Sequence, residues 1–126
     1  MREIKFRAWN GHNMFNNIQV GAMYLGDLIA DPQWYLMQYT NLKDKNGREI
    51  YESDILKVTG EYGESYVATV KWFGDEDYPA FDLAGIPAPW SYDANALATI
   101  FQSGVETCEV IGNIFEDQNL LEAQHE

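Results

Sequence analysis

Nothing constrains this chain more than the run Gln38-Tyr-Thr-Asn-Leu-Lys-Asp-Lys-Asn-Gly-Arg-Glu-Ile-Tyr-Glu-Ser-Asp-Ile-Leu56, answered downstream by Val110-Ile-Gly-Asn-Ile-Phe-Glu-Asp117. Asp44-Lys-Asn-Gly47 is a tight-turn signal set between Leu42 and Ile50. Asp and Asn fold onto the local backbone there, and Gly takes positive φ without a Cβ clash. A second bend at Glu52-Ser-Asp54 lets Ile50 and Ile55 seat in a core on either side, with Asp54 suited to accept the backbone hydrogen bonds that fix the bend. Gly112, inside an apolar strand, predicts a bulge or a close backbone approach, with Asn113 bonding across to the first run. Gly47, Tyr51, Asp54, Gly112 and Asn113 therefore read as folding determinants, and the carboxylates among them as structural.

The rest of the chain follows the same grammar of short strands and polar turns. Residues 3 to 9 alternate, with Ile4, Phe6 and Ala8 on one face and Glu3, Lys5 and Arg7 on the other, the period of a half-buried strand. Asn10-Gly-His-Asn13 is a turn, and Met14 to Val20 returns as the second strand of a hairpin. Gly21 to Asp31 fits either a short helical turn or an irregular crossover, ended by Pro32. Gln33 to Tyr39 is an aromatic-rich strand. Asp54 to Thr59, Ser65 to Phe73 and Ala80 to Leu83 are further strands. In the longest, Tyr66, Ala68, Val70 and Trp72 (or their neighbours) face inward. Gly85 to Tyr92, with Pro87 and Pro89, is loop-like. Asp93 is suited to cap a short helix through Ile100. Glu106 to Phe115 is the last strong strand, and Asp117 is expected to cap a terminal helical turn carrying Leu120 and Leu121. Such a chain is α+β and mainly β, a small twisted sheet or barrel with modest helical decoration.

Composition bounds the function classes. A length of 126 residues suits one domain, and apolar content of 46% with 14% aromatics is enough for a packed interior. No apolar run approaches the roughly 18 residues that span a bilayer. The N-terminus interleaves charge with apolar residues where a signal peptide needs an unbroken apolar stretch. A lone cysteine, Cys108, excludes an internal disulfide framework and a cysteine-built metal cage. The expectation is a cytoplasmic protein without membrane contact.

The net charge of −12 is unevenly spread: all 8 Lys and Arg fall between Arg2 and Lys71, and from Trp72 onward the chain is acidic without a base. Such a field repels nucleic acid and membrane surfaces, so direct DNA or RNA binding is disfavoured. Solubility accounts for it simply. It also fits an acidic surface that imitates DNA phosphates, or a basic N-terminal segment meeting the acidic half within or between subunits.

Little in the chain offers catalysis. His12 and His125 lie in a turn and a tail without ligands at metal-site spacing. Cys108 has no basic neighbour in sequence to depress its pKa and reads as a small buried residue. Asp75-Glu-Asp77 lacks the glycine and distal glutamate of a calcium loop and reads as a solvated turn. Glu52 and Asp54 would need a cleft and raised pKa values for acid–base work. There is no Gly-rich phosphate loop, nucleophile elbow or His-Glu zinc motif. No catalytic, cofactor or metal site is expected. Trp34, Tyr35, Tyr39 and Trp72 are core or subunit-interface candidates. Trp90 and Tyr92, on the proline-bearing loop, are the candidate partner contacts, together with Asp75, Glu76 and Asp77 if the acidic turn mimics DNA.

Arg2-Glu-Ile-Lys-Phe-Arg-Ala-Trp9, the central Met37 to Glu52 with Asp54-Ile-Leu56, and the closing Val110 to Glu116 resemble, in that order, the YopX family of bacteriophage and prophage proteins. The stretch from about Tyr62 to Thr107 matches loosely. Ser53 stands where the family has glycine in its Tyr-Glu-Gly-Asp signature, so a positive φ there would cost strain. Phe115 replaces a tyrosine, and Asp117-Gln-Asn119 replaces Asn-Pro-Glu. The resemblance implies an SH3-like small β-barrel joined to an N-terminal mixed lobe, with lobes at about 1–45 and 46–126 of one domain. It also implies a phage or prophage setting in the cytoplasm of a bacterial host, and a homo-oligomer. It implies no molecular activity. The function expected is a non-enzymatic, self-associating protein-interaction module with an unknown protein partner; the alternative is an acidic DNA-mimic inhibitor of a host DNA-binding enzyme or repressor.

Overall fold

A computed structural model describes residues 5–19, 35–72, 80–87 and 95–122. Its first sheet is built from β1 (Lys5–Trp9), β2 (Met14–Gln19), β3 (Tyr35–Lys43) and β4 (Glu49–Tyr51), in the spatial order β2-β1-β3-β4 and antiparallel throughout. The hairpin turn between β1 and β2 is closed by Asn10, whose Oδ1 accepts the N–H groups of His12 and Asn13 at 2.9 and 2.8 Å. This Asx geometry is why asparagine suits the position.

The second sheet contains β5 (Asp54–Thr59), β6 (Ser65–Trp72), β7 (Phe81–Ala84) and β8 (Thr107–Asn113), in the order β7-β6-β5-β8 and again antiparallel. Alternation decides its faces. Leu56 and Val58 of β5, Tyr66, Ala68 and Val70 of β6, and Cys108 and Val110 of β8 are buried on one side, as a period of two requires. Helix α1 (Ala96–Ser103) closes that side with Ala96, Leu97 and Ile100, and Ile50 of β4 joins the same core. Trp72 does not: it ends β6 at 43% exposure, its ring edge-on to Phe81 at 4.9 Å.

The helix begins later than Asp93, which lies outside the described residues. Asn95 is its cap: Oδ1 accepts the Ala98 N–H at 2.8 Å, while Nδ2 donates to the Phe81 carbonyl at 3.1 Å. The buried carboxylate of Asp82 adds a second acceptor for the unpaired N–H groups of the first turn, taking the Leu97 N–H at 3.0 Å. Gly104, at φ 72°, terminates the helix in the left-handed conformation. A second short helix, α2 (Asn119–Glu122), follows β8 and lies against β6. Asp117 does not cap it through its side chain. Its carbonyl accepts the Leu120 N–H, while its carboxylate turns back and accepts the Asn113 N–H at 3.2 Å.

The chain passes between the two sheets at two places, each marked by a non-glycine residue at positive φ. Asn41, at φ 68°, sits in a bulge of β3 where the register jumps from Tyr39↔Tyr51 to Lys43↔Glu49. The bulge redirects the strand, so Tyr39 packs on Tyr51 in the first sheet while Leu42 reaches the second core. Ser53, at φ 72°, makes the bend between β4 and β5. No described helix is long and apolar enough to cross a membrane.

Candidate functional site

The two signature runs meet at this joint. Asp54 pairs with Asn113 across β5 and β8, and the Ile114 N–H donates to the Ser53 carbonyl at 3.0 Å. The ladder shifts between Ile55↔Gly112 and Leu56↔Val110, which leaves Ile111 as the extra residue of a bulge. Gly112 is also a close approach: a Cβ there would stand 2.5 Å from Asp117 Oδ2, which is anchored on the Asn113 N–H. The Asn113 side chain does not reach across to the first run. It folds its own loop instead, Oδ1 accepting from Phe115 and Glu116 N–H at 3.0 Å each and Nδ2 donating to Glu116 at 2.8 Å.

Two buried carboxylates organise the joint. The first belongs to Asp44. Its Oδ1 accepts the N–H groups of Asn46 and Arg48 at 2.9 Å each, closing the turn in which Gly47 adopts φ 81°. Its Oδ2 accepts the Val110 N–H at 2.9 Å, and the Lys45 N–H donates to the Cys108 carbonyl at 3.1 Å. The turn thus satisfies outward-facing backbone groups of β8 and covers that part of the sheet edge. Burial pushes the Asp44 carboxyl up, but the N–H groups of Val110, Arg48 and Asn46 and the nearby Arg48 charge outweigh it, and its pKa is lowered. Cys108 lies beside this turn, and burial, with the Asp44 charge adding, pushes its thiol up to about 11. A thiol so placed is protonated at neutral pH and a poor nucleophile.

The second carboxylate is Asp54, only 1% exposed. Its Oδ2 accepts the Tyr51 N–H at 2.7 Å across the bend, and its Oδ1 pairs with Arg7 Nη2 at 2.7 Å. That nitrogen also donates to the Glu52 carbonyl at 3.0 Å, and the guanidinium carbon stands 4.9 Å from the Tyr51 ring centre. Lys5 repeats the theme, pairing with Glu49 and standing 5.6 Å from the Tyr39 ring centre. The charged face of β1 is therefore not a solvent face: Arg7 is 6% exposed because Asp54 and Tyr51 take it in. Glu52 Oε1 accepts the Gln38 N–H at 2.9 Å. Burial raises the pKa of both Asp54 and Glu52 by more than Arg7 and their N–H donors lower it. Tyr51 is pushed up to about 12 by burial first and the Glu49 charge second.

Around the joint the rings of Trp9 and Tyr35 pack on Phe115 at 5.7 and 5.3 Å. This ties the first sheet to the loop after β8 through an aromatic that needs no hydroxyl for the contact. Two surface cavities flank α1. One of about 190 Å³ is lined by Lys43, Lys45, Ile100, Phe101 and Cys108 among others; one of about 400 Å³ opens beside Leu42, Phe81 and Leu97. Neither includes Glu52 or Asp54. Among the described residues no group of three or more His, Cys, Asp or Glu is placed to hold a metal ion. Trp90, Tyr92, Asp75, Glu76 and Asp77 lie outside the described residues.

Sequence reasoning named Gly47, Tyr51, Asp54, Gly112 and Asn113 as folding determinants and set Asp44 and Glu52 in two turns, but it missed Arg7, and the bond from Asp44 to β8, as connectors between them. The missed signal was the basic residue in a strand that precedes two acid-bearing turns. A family model described as YopX protein matches residues 15–122. Among solved structures, protein EF1440 from Enterococcus faecalis is similar at TM-score 0.60 and 22% identity, over 96% of this chain and 99% of that one. Protein yopX from Bacillus subtilis is similar at TM-score 0.53 and 18% identity, over 92% of this chain and 96% of that one. Both likenesses are of fold. No curated protein matches the chain.

Proposed function

The chain belongs to the YopX family, and from that premise we propose that it is a non-catalytic, self-associating protein-interaction module of a phage or prophage. One observation carries the reading. The signature carboxylates Asp44, Glu52 and Asp54 are occupied by backbone N–H groups and Arg7, holding two sheets together. Groups spent on internal hydrogen bonds are poorly placed for substrate chemistry.

In this reading the chain has two lobes, about 1–45 and 46–126, with β4 of the second lobe lent to the first sheet. The second lobe is an SH3-like small barrel closed by α1. Its partners are protein, met in the host cytoplasm through the loop carrying Trp90 and Tyr92. The pull-down that tests this uses the tagged chain in infected cells. Trp90→Ala with Tyr92→Ala should abolish partner capture; unchanged capture and unchanged oligomer mass would reject that loop.

The acidic half, with no Lys or Arg after Lys71, favours a second reading, a surface that imitates DNA phosphates. Replacing Asp75, Glu76 and Asp77 with lysines separates the two, since capture that survives charge reversal excludes mimicry through that turn.

A further inference from the structure

Tyr62 is the most exposed large hydrophobic side chain among the described residues, at 88%. It stands on the turn between β5 and β6, flanked by Glu61 and Glu64, both exposed. The turn is held rather than loose. The Gly60 N–H donates to the Glu64 carbonyl at 2.7 Å, the Gly63 N–H to the Gly60 carbonyl at 3.2 Å, and Gly63 takes φ 88°. The Glu64 side chain lies across Gly60, where a Cβ would stand 2.0 Å from its Oε1. A pre-ordered turn loses little entropy on docking, and tyrosine is among the side chains enriched at protein interfaces.

The cavity between α1 and the Asp44 turn has the opposite character. Its apolar lining is Ile100, Phe101 and Cys108, with Lys43 and Lys45 at its mouth; Asp44 also lines it, but that carboxylate is buried and both its oxygens are taken by backbone N–H groups. Both lysines are exposed, and neither ammonium is in an ion pair among the described residues. The volume is about 190 Å³, and a cavity of roughly 150 Å³ already admits a benzene ring. Thr59 pairs with Thr107 at the end of the second sheet, so the Tyr62 turn and the cavity rim at Glu106 and Thr107 share one end of the molecule. An acidic aromatic knob and a basic-rimmed apolar cavity on one surface are self-complementary about a two-fold axis.

Resting on the reading of a self-associating module, we propose that Tyr62 and Glu61 of one copy dock into the Lys43–Lys45 cavity of a second copy, which returns the same contact. Lysine charge meets glutamate charge at the rim while the ring fills the apolar floor. Glu106, on the same rim, opposes an acidic visitor, so Glu106→Gln tightens the dimer.

Sedimentation equilibrium tests this. The wild-type chain forms a dimer, and Tyr62→Ala and the pair Lys43→Glu with Lys45→Glu each raise its Kd roughly tenfold or more. Mixing those two variants yields a heterodimer tighter than either variant with itself, because one knob-and-cavity contact survives. Tyr62, Lys43 and Lys45 are exposed and Glu106 is half-buried, and circular dichroism checks that each variant is folded. Self-association with a Kd unchanged by either variant would overturn this surface and leave the module reading standing. A wild-type chain that stays monomeric at every concentration would overturn both.

Discussion

Asp44 accepts only backbone N–H groups, whereas Asp54 divides its carboxylate between one N–H and the guanidinium of Arg7. Both are buried within one signature, yet the first has its pKa lowered and the second raised. The difference lies in how completely each charge is solvated by its surroundings. Backbone donors aimed at both oxygens replace the lost water around Asp44. Around Asp54 a single donor and one cation, itself desolvated, do not fully replace it. Asp44 is thus a staple that favours the fold on its own. Asp54 depends on a partner from the far end of the chain.

Breaking the dependent pair should have the largest effect. Arg7→Met leaves Asp54 charged, buried and unpaired, and should cost about 3–5 kcal/mol in urea unfolding. Adding Asp54→Asn removes the orphaned charge and should recover part of that loss. A double variant as unstable as the sum of its singles would show that the pair is uncoupled. Asp44→Asn comes next. Its amide puts a donor against either Val110 or the turn, and one unsatisfied buried N–H should cost about 1–3 kcal/mol.

Acid and alkali sharpen the contrast through its sign. Asp44, with its folded pKa lowered, contributes stability above the ordinary carboxylate value of 3.8 that is lost as pH falls through the folded value. Glu52 and Asp54, with folded values raised, work the other way: protonation on acidification relieves their burial, so their contribution rises as pH falls from neutral. Urea midpoints across this range should therefore lose part of their acid-side rise in Glu52→Gln, Asp54 keeping the rest, and their final fall should flatten in Asp44→Asn. On the alkaline side Cys108, raised from 9.0 to about 11, favours the fold below 9 and loses that contribution as pH climbs to 11. Cys108→Ala should flatten that alkaline slope, and an unchanged slope would assign it to Tyr51 or elsewhere.

How much of this was legible in the sequence follows from the range of the forces involved. The β1–β2 hairpin and the strand from Asp54 to Thr59 are set by local alternation and turn chemistry, and they could be read directly. The bend at Glu52-Ser-Asp54 was legible too, but not its left-handed φ at Ser53, which the backbone bonds to Val70 and Ile114 hold. The helix start was misplaced by two residues because Asp93 and Asn95 are equally good caps. The Phe81 carbonyl, distant in sequence, accepts from the Asn95 amide and so favours asparagine at the cap. Asp117 looked like a cap for the same local reason, until Gly112 left room for its carboxylate on β8. Arg7 and the long-range half of the Asp44 role were not legible. Arg7 looks like a solvent-face charge until Asp54 arrives from another sheet, and Asp44 like a purely local turn residue until Val110 arrives from another strand.

The smallest expected effect lies at the bend itself. Ser53 holds φ 72° with its N–H donating to the Val70 carbonyl at 2.8 Å and its carbonyl accepting from Ile114. The backbone there is fully engaged, so the strain of a Cβ in the left-handed region is carried rather than relaxed. Ser53→Gly relieves that strain, roughly 1 kcal/mol or a little more, but adds unfolded-chain entropy of about 0.5–1 kcal/mol. The net is a stabilisation of about 0.5 kcal/mol, a rise in melting temperature of one or two degrees by the usual scaling. The same substitution in the Arg7→Met background should give an equal gain if the bend is fixed by its backbone bonds alone. A larger gain there would mean that the Arg7–Asp54 pair is what holds Ser53 in its strained conformation.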